Sequence, residues 1–265
     1  MYTILIMQRI GRLHKITAWT RRRRNVIALA LAVIIPAGVL SGCGSSNSTT
    51  VYAAASLQEA FPAIDSGATY SFGGSDKLAT QIEQGAPADV FASASAKYTT
   101  KLYEEGLVDK PVTFASNRLV LIVPKANPGK ITTVSDVTRP GTRLVVAAAG
   151  VPVGDYTRKV LGELKLDDAL KNVVSEESDV KGVTGKIAVG GNAYAGFVYA
   201  TDVPPVADKV TVIEIPASAQ PPISYQIAVV KRTKHPKEAA AFIARVTDTA
   251  GQEALRTAGF VPVSK

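Results

Sequence analysis

The hydroxyl of Ser56 lies at a position in the sequence where it could bind an anion. Ser56 ends the small-residue run VYAAAS (51–56), and with Glu59 it matches a capping box for a helix beginning at Leu57. A helix N-terminus has unpaired N–H groups and a partial positive charge, so these groups and the serine hydroxyl could bind an anion together. Most such serines only cap a helix, so Ser56 alone leaves the structural interpretation open.

Similar groups occur at three more strand-to-helix junctions and at one strand end. Ser75 follows two glycines and is the expected N-cap of the next helix. Backbone N–H groups of 153–155 and of Val180 begin two later helices, and Tyr199 places a hydroxyl at a strand end. These donors are uncharged, and few acceptors accompany them. They therefore predict a site that favours a fully deprotonated oxyanion without a counter-charge.

The elements that would position these groups alternate between strands and helices. Strand-like runs such as 118–124 alternate with helix-like runs such as 76–84 and 236–248, which predicts an α/β protein with mostly parallel sheets. Ligands of such sheets lie beyond the carboxyl ends of the strands. The apolar runs 119–123 and 227–230, if both cross between lobes, would create a hinged two-lobed body. Buried strands of one large sheet would have the same pattern.

Residues 1–42 have the composition of a secretory signal peptide. Arg21–Arg24 precede an apolar run at 26–40, which is short for a membrane-spanning helix. The run ends in LSGC, whose cysteine is Cys43, and these four residues resemble the lipobox at which bacterial lipoproteins are cleaved and lipidated. We therefore expect lipid on Cys43 to anchor the exported protein to the outer face of the cytoplasmic membrane. A free thiol is the alternative.

Most of the excess positive charge belongs to this signal segment. The chain has a formal net charge of +8, and residues 1–42 contain seven basic residues and no acidic residue. The remaining body is nearly neutral, which argues against a nucleic-acid partner. Cys43 is the only cysteine, so neither an internal disulfide nor a multi-cysteine metal site is expected. Residues 43–49 are expected to form a flexible tether, and either Met1 or Met7 could be the start.

Several motifs of the body occur together in one family. AAASL (53–57), within VYAAASLQEAF, and QIEQGAPADVFASA (81–94) are the most specific, and VPVGDYTRKVL (151–161), ESDVKG (177–182) and GFVYATD (196–202) support them. With these motifs the chain resembles the molybdate-binding component of bacterial molybdate ABC importers. The resemblance implies a type II periplasmic-binding-protein fold, in which two lobes are joined by a two-strand hinge around a central ligand cleft.

The resemblance also implies lobe boundaries and ligand contacts. Lobe 1 would comprise 50–120 and 226–265, and lobe 2 would comprise 121–225. The groups that hold the oxyanion in the family correspond by motif to Ser56, Ser75, Val153, Val180 and Tyr199. These groups would contact molybdenum only through the oxygens of molybdate, and no direct metal ligand and no cofactor are expected.

The function implied by the resemblance is capture of molybdate, and of tungstate, by a monomeric, lipid-anchored binding protein that delivers it to a molybdate ABC permease. One alternative is another oxyanion, either sulfate or phosphate. A second alternative is a serine-dependent hydrolase, which would need a base beside Ser56. His235 is the only histidine after the signal segment, and the chain has no G-x-S-x-G elbow, so an enzyme is not expected.

Charged residues near the junctions are assigned structural roles. Asp76 would favour the dipole of its helix and point to solvent, and Asp89 would hold local backbone instead of contacting a protonated phosphate. His235 is expected at the surface and not as a metal ligand. Basic residues on helix faces are expected to be solvated: Lys77, Arg158 and Lys181.

Overall fold

The computed structural model describes residues 48–263. The predicted signal peptide, the predicted lipidation site Cys43 and most of the predicted tether lie outside the described residues. Within residues 48–263, none of the helices combines the length and the apolar character that crossing a membrane requires.

The described chain alternates strands with helices, as its sequence predicts. The strands are β1 (Thr50–Ala54), β2 (Thr69–Gly73), β3 (Val90–Ser93), β4 (Val112–Asn117), β5 (Leu119–Pro124), β6 (Leu144–Ala147), β7 (Val173–Glu177), β8 (Ala195–Tyr199), β9 (Val210–Glu214), β10 (Ile223–Val229) and β11 (Val261–Pro262). The α-helices are α1 (Ala60–Ile64), α2 (Ser75–Glu83), α3 (Ala96–Glu104), α4 (Pro152–Glu163), α5 (Val180–Val189), α6 (Pro236–Thr247) and α7 (Thr249–Thr257).

The strands form two mixed sheets, with the orders β11-β4-β10-β3-β1-β2 and β7-β6-β8-β5-β9. In the first sheet β1 is parallel to β2 and β3, while β10 is antiparallel to β3 and β4. In the second sheet β6 is parallel to β7 and β8, while β5 is antiparallel to β8 and β9. The prediction of mostly parallel sheets is therefore wrong. The strands next to the connections between the sheets, β4, β5, β9 and β10, all make antiparallel pairs.

Two short connections join the sheets. Arg118 alone separates β4 of the first sheet from β5 of the second, and residues 215–222 lead back from β9 to β10. Neither β5 nor β10 crosses by itself, because each pairs within one sheet. We call the first sheet with its helices lobe 1 and the second sheet with its helices lobe 2. The boundaries predicted at 120/121 and 225/226 fall inside β5 and β10, and they stay predictions.

Buried apolar side chains hold each lobe together. All residues of β5, LVLIVP, are buried in lobe 2. In lobe 1 the ring of Phe61 on α1 lies 5.8 Å from that of Phe114 on β4 and 5.4 Å from that of Phe242 on α6. Burying one such side chain contributes about 1.5–3 kcal/mol. This packing fixes the carboxyl ends of the parallel strands, and the candidate site lies beyond those ends.

Candidate oxyanion-binding site

One small cavity lies between the two lobes. Lobe 1 contributes the ends of β1 and β2 and the start of α2, and lobe 2 contributes the starts of α4 and α5 and the end of β8. The residues predicted to hold an oxyanion all line this cavity: Ser56, Ser75, Val153, Val180 and Tyr199. The fold therefore brings the predicted donors together, and their contact with a ligand stays a prediction.

Ser56 lies in a single-turn 3-10 helix and does not cap α1. The helix α1 begins at Ala60, its N-cap is Glu59, and no side chain caps it, so the predicted capping box is wrong. Pro62 gives the physical reason: proline has no N–H and is tolerated only in the first turn of a helix, which places the start of α1 at Ala60. The Ser56 hydroxyl instead lies 2.8 Å from the Tyr225 hydroxyl in the interior.

Ser75 is the first residue of α2, and the N-cap of this helix is Gly74, so the predicted cap is wrong by one residue. The Oγ atom of the buried Ser75 accepts a hydrogen bond from the N–H of Ala94 at 3.1 Å. Because this bond uses a lone pair of the oxygen, the hydroxyl hydrogen stays available to a ligand. Asp76 was expected to point to solvent, but its Oδ1 is buried and has no hydrogen-bond partner among the described residues.

The starts of α4 and α5 supply backbone donors. In α4 the N–H of Asp155 donates to the carbonyl of Val151 at 2.9 Å. The N–H of Asp155 is therefore bonded within the helix, and its prediction as a free donor is wrong. The N–H of Val153 has no acceptor within the helix. Val180 is the first residue of α5 and follows the N-cap Asp179, so its N–H is also a first-turn donor.

Tyr199 ends β8 at the wall of the cavity. The residue is only 2 % exposed, and its Oη has no hydrogen-bond partner among residues 48–263. Burial raises the pKa of Tyr199 well above its ordinary value, so the hydroxyl keeps its proton at neutral pH. Leaving a buried polar group unpaired costs about 1–3 kcal/mol. Such a group in a folded protein requires an explanation, and a ligand that accepts its hydrogen bond is one.

Basic side chains are absent from the lining of this cavity in the described part of the chain. The one charged lining residue is Asp179, whose Oδ1 accepts a hydrogen bond from the N–H of Gly182 at 3.0 Å. The cavity can therefore hold an anion only through hydroxyls, backbone N–H groups and helix dipoles. Across residues 48–263, no group of three or more His, Cys, Asp or Glu side chains could hold a metal ion.

Asp89 lies away from this cavity and has the structural role predicted for it. Its Oδ2 accepts a hydrogen bond from the N–H of Thr50 at 2.7 Å, and its Oδ1 accepts one from the hydroxyl of Thr233. These bonds hold the start of β3 against the start of β1. Asp89 therefore has both carboxylate oxygens engaged in the fold.

The expected solvation of the basic residues is only partly correct. Lys77 is exposed, as expected, and His235 is half-buried directly before α6. The prediction for Arg158 is wrong, because its Nη1 donates to the carbonyls of Ala147 and Gly154, both at 3.0 Å. The Arg158 side chain thus ties the end of β6 to the first turn of α4, where Val153 lies.

Asp202 is a fully buried carboxylate that sequence reasoning did not single out. Its Oδ1 lies 3.3 Å from the Nζ of Lys181, although neither carboxyl oxygen accepts a well-directed hydrogen bond in the described part of the chain. The same Nζ lies 3.7 Å from Oε1 of Glu59 in lobe 1, so the expected solvation of Lys181 is also wrong. Burial raises the pKa of Asp202 to about 6, although Lys181 opposes this shift.

The raised pKa of Asp202 predicts a pH dependence of stability. The folded protein binds more protons than the unfolded chain between the unfolded value of 3.8 and about 6, so this contribution is lost as pH rises through about 6. Lys181 and Asp179 are the charges that act on this carboxyl. Asp202→Asn should reduce the loss of unfolding free energy between about pH 5 and about pH 7.5 by about 1 kcal/mol. Urea denaturation at both pH values measures this difference, and equal pH dependence in the two proteins would contradict it.

The described body matches a known protein family. Residues 49–261 match the model of the family described as bacterial extracellular solute-binding protein. The chain belongs to this family. Its members bind solutes and are not enzymes, which confirms the prediction that the chain is not a hydrolase.

Relatives of this solute-binding protein include proteins named for molybdate. It is 41 % identical over 238 residues to the molybdate-binding protein ModA of Mycobacterium tuberculosis, covering 85 % of this chain and 87 % of the relative. It is 32 % identical over 251 residues to the putative ABC transporter substrate-binding lipoprotein YvgL of Bacillus subtilis, covering 88 % and 96 %. The structure of the Azotobacter vinelandii periplasmic molybdate-binding protein matches with a TM-score of 0.71 and 26 % identity, covering 82 % and 100 %. These matches confirm the predicted two-lobed, type II fold.

Proposed function

We propose that this solute-binding protein captures molybdate, and also tungstate, in the cavity between its lobes and delivers it to an ABC permease. The observation that carries the proposal is the Tyr199 hydroxyl, which is buried without a partner among residues 48–263 at the wall of that cavity. Ser75 offers its hydroxyl hydrogen to the same cavity, and the starts of α4 and α5 offer backbone N–H groups. Relatives named molybdate-binding proteins support the choice of molybdate.

The donor set selects a fully ionised oxyanion. Molybdate carries no proton at neutral pH, so each of its oxygens can accept hydrogen bonds from the neutral donors. Phosphate keeps a proton at this pH and would need an acceptor. The carboxylate of Asp179 in the lining already accepts from the N–H of Gly182 at 3.0 Å and from the hydroxyl of Ser178 at 3.4 Å, so the cavity offers mainly donors. Sulfate makes the same hydrogen-bond demands as molybdate but is smaller, so the size of the cavity would discriminate against it.

Closure of the lobes would complete the site and prepare the protein for its permease. Ser56 and Ser75 belong to lobe 1, whereas Val153, Val180 and Tyr199 belong to lobe 2, so an anion that contacts all of them favours the closed arrangement. We propose that the closed, anion-loaded monomer presents the surface that the permease recognises.

Calorimetric titration of the purified protein with four oxyanions tests the proposed function. Molybdate and tungstate should each bind one site tightly, whereas sulfate and phosphate should bind much more weakly. Tight binding of phosphate without a response to molybdate would contradict the proposal. Failure to bind any of these anions would remove the oxyanion function altogether.

Alanine substitution of the two serines tests their role as donors. Ser56→Ala and Ser75→Ala should each weaken molybdate binding by about 1.5–3 kcal/mol, the range for hydrogen bonds to charged groups. Titration calorimetry measures this loss. Ser135→Ala, which changes an exposed serine of lobe 2, is the matched control and should bind like the unaltered protein. If both cavity variants bind like this control, the assignment of the serines is wrong.

The Tyr199 hydroxyl should have opposite effects on binding and on stability. Tyr199→Phe keeps the ring and removes the unpartnered hydroxyl, so molybdate affinity should fall by about 1.5–3 kcal/mol. Without molybdate the variant should be at least as stable as the unaltered protein, because no hydrogen bond is lost. Calorimetry and thermal melts measure the two effects, with Tyr103→Phe as the exposed control. A less stable variant with unchanged affinity would show that the hydroxyl has a structural partner.

We also propose that lipid on Cys43 anchors the exported protein to the membrane, a position outside the described residues. The lipobox-like LSGC supports this, and a relative from Bacillus subtilis is named a lipoprotein. Cys43→Ala should move the protein from the membrane fraction to the soluble fraction of the cell envelope, whereas Ser45→Ala should leave it in the membrane fraction. A Cys43→Ala protein that stays with the membrane would contradict the anchor.

A further inference from the structure

We infer that Asn117 and Tyr225 are positioning residues that set the direction of the Ser56 hydroxyl, so that Ser56 presents its hydrogen to the ligand. The inference rests on the proposed oxyanion function and adds residues that make no contact of their own with the anion. Its basis is a chain of buried hydrogen bonds that begins at the connection between the lobes and ends at Ser56. Tyr225 and Asn117 are not among the residues that line the cavity.

Asn117 is the first residue of this chain, and its hydrogen bonds fix the orientation of its amide. Its Oδ1 accepts a hydrogen bond from the N–H of Arg118 at 2.9 Å. A backbone N–H can only donate, so the amide oxygen must face Arg118 and the amide nitrogen must face the other way. That nitrogen, Nδ2, donates to Oγ1 of Thr201 at 2.9 Å and lies 3.4 Å from Oη of Tyr225. Because Asn117 is in lobe 1 and Thr201 follows β8 of lobe 2, the amide is fixed by both lobes.

The Tyr225 hydroxyl links the Asn117 amide to Ser56. Two polar atoms of the described residues lie within hydrogen-bond distance of its Oη, Nδ2 of Asn117 and Oγ of Ser56. The amide nitrogen cannot accept a hydrogen bond, so of these two partners only Ser56, at 2.8 Å, can accept the proton of Tyr225. Tyr225 is fully buried, and its ring meets those of Tyr199 and Phe260 edge to face, with centroids 5.8 Å and 5.2 Å away. This packing fixes the position of the Tyr225 ring and therefore of its hydroxyl oxygen.

Ser56 therefore keeps its hydrogen for the ligand, while Tyr225 occupies one of the two lone pairs of its oxygen. Its oxygen accepts from Tyr225, and its own proton can point to the cavity that it lines. Ser75 is in the same state, because its oxygen accepts from the N–H of Ala94. Successive hydrogen bonds also polarise each other, which makes Ser56 a stronger donor. A Ser56 hydrogen that points into the cavity favours an oxyanion without a proton, and two residues outside the cavity set that direction.

Removing the Tyr225 hydroxyl should change which anions bind. In Tyr225→Phe the Ser56 oxygen loses its donor, so the serine can rotate and accept the proton of phosphate. Molybdate should bind about 10-fold more weakly. The ratio of the phosphate Kd to the molybdate Kd should fall about 10-fold or more. Each change corresponds to the loss of one hydrogen bond to a charged group. A thermal melt confirms that the variant is folded.

Tyr70→Phe is the matched control for this experiment. Tyr70 also has a hydroxyl with two bonds in lobe 1, to the carbonyls of Phe61 and Asp65, but it does not line the cavity. Calorimetry with molybdate and phosphate is performed on the unaltered protein and both variants. A Tyr225→Phe protein whose Kd ratio equals that of Tyr70→Phe would overturn the inference, including when both affinities fall equally. If the unaltered protein does not bind molybdate, the proposed function fails instead.

Discussion

Gly74→Ala is expected to weaken molybdate binding about 100-fold without lowering the stability of the ligand-free protein. A Cβ atom on Gly74 would lie 2.5 Å from the carbonyl oxygen of Ser178 and 2.5 Å from Oδ1 of Asp76. Gly74 belongs to lobe 1 and Ser178 to lobe 2, so the methyl group opposes closure. A backbone carbonyl cannot shift cheaply, and overpacking of this kind costs about 1–3 kcal/mol or more. The upper end of this range corresponds to about a 100-fold loss of affinity.

The backbone of Gly74 would accept alanine if the lobes were apart. Its φ of −64° and ψ of 132° are ordinary for an L-residue, so the backbone is not strained, and within lobe 1 only the Asp76 carboxylate would have to rotate. Gly73→Ala is the matched control, because a Cβ there would meet only Leu78, at 3.8 Å. Titration calorimetry and thermal melts measure affinity and stability. Equal molybdate affinity in the two variants would show that close approach at Gly74 is not required for binding.

Gly154→Ala is expected to destabilise the folded protein by about 3 kcal/mol or more and to abolish molybdate binding at the same time. A Cβ on Gly154 would lie 2.2 Å from the carbonyl oxygen of Ala148 and 2.4 Å from that of Ala147. Both contacts are with backbone of the same lobe, so the clash exists in every folded state and must move α4 away from β6. The N–H of Val153, one residue earlier, would move with the helix.

Gly185→Ala gives the contrasting result for a helix glycine of the same lobe. A Cβ on Gly185 would meet nothing within 4 Å, and the residue lies on the exposed face of α5. Alanine is the better helix former, so this variant should be more stable by about 0.5–1 kcal/mol. Urea denaturation of both variants measures the difference. If Gly154→Ala unfolds at the same urea concentration as the unaltered protein, the proposed close approach of α4 and β6 is wrong.

The sequence predicted the positions of elements better than their pairing. The helix predicted at 236–248 is observed as α6, Pro236–Thr247, because an apolar helical stripe and Pro236 at the first position are local signals. The strand β4, Val112–Asn117, and the edge strand β7, Val173–Glu177, had no such signal, since polar residues occupy much of each. The antiparallel direction of β5 and β10 depends on where the chain passes between lobes, which no local pattern records.

The candidate site could be predicted as a set of positions but not as a set of hydrogen bonds. Motifs placed Ser56 and Ser75 at the ends of strands, and both line the cavity. Their predicted capping roles failed because their hydroxyls bond to Tyr225 and to Ala94, which are distant in sequence. Asp202 was missed for a similar reason: its burial and its contact with Lys181 follow from tertiary packing, and a lone acid after a strand carries no signal.

Calorimetric titration with molybdate in two buffers tests whether neutral donors alone hold a fully ionised oxyanion. The two buffers should have different ionisation enthalpies and the same pH, about pH 8, where Asp202, with its pKa of about 6, is already ionised. We predict tight binding at one site with the same enthalpy in both buffers, because no donor at the cavity gains or loses a proton. Absence of binding, or an enthalpy that changes with the buffer, would contradict this account.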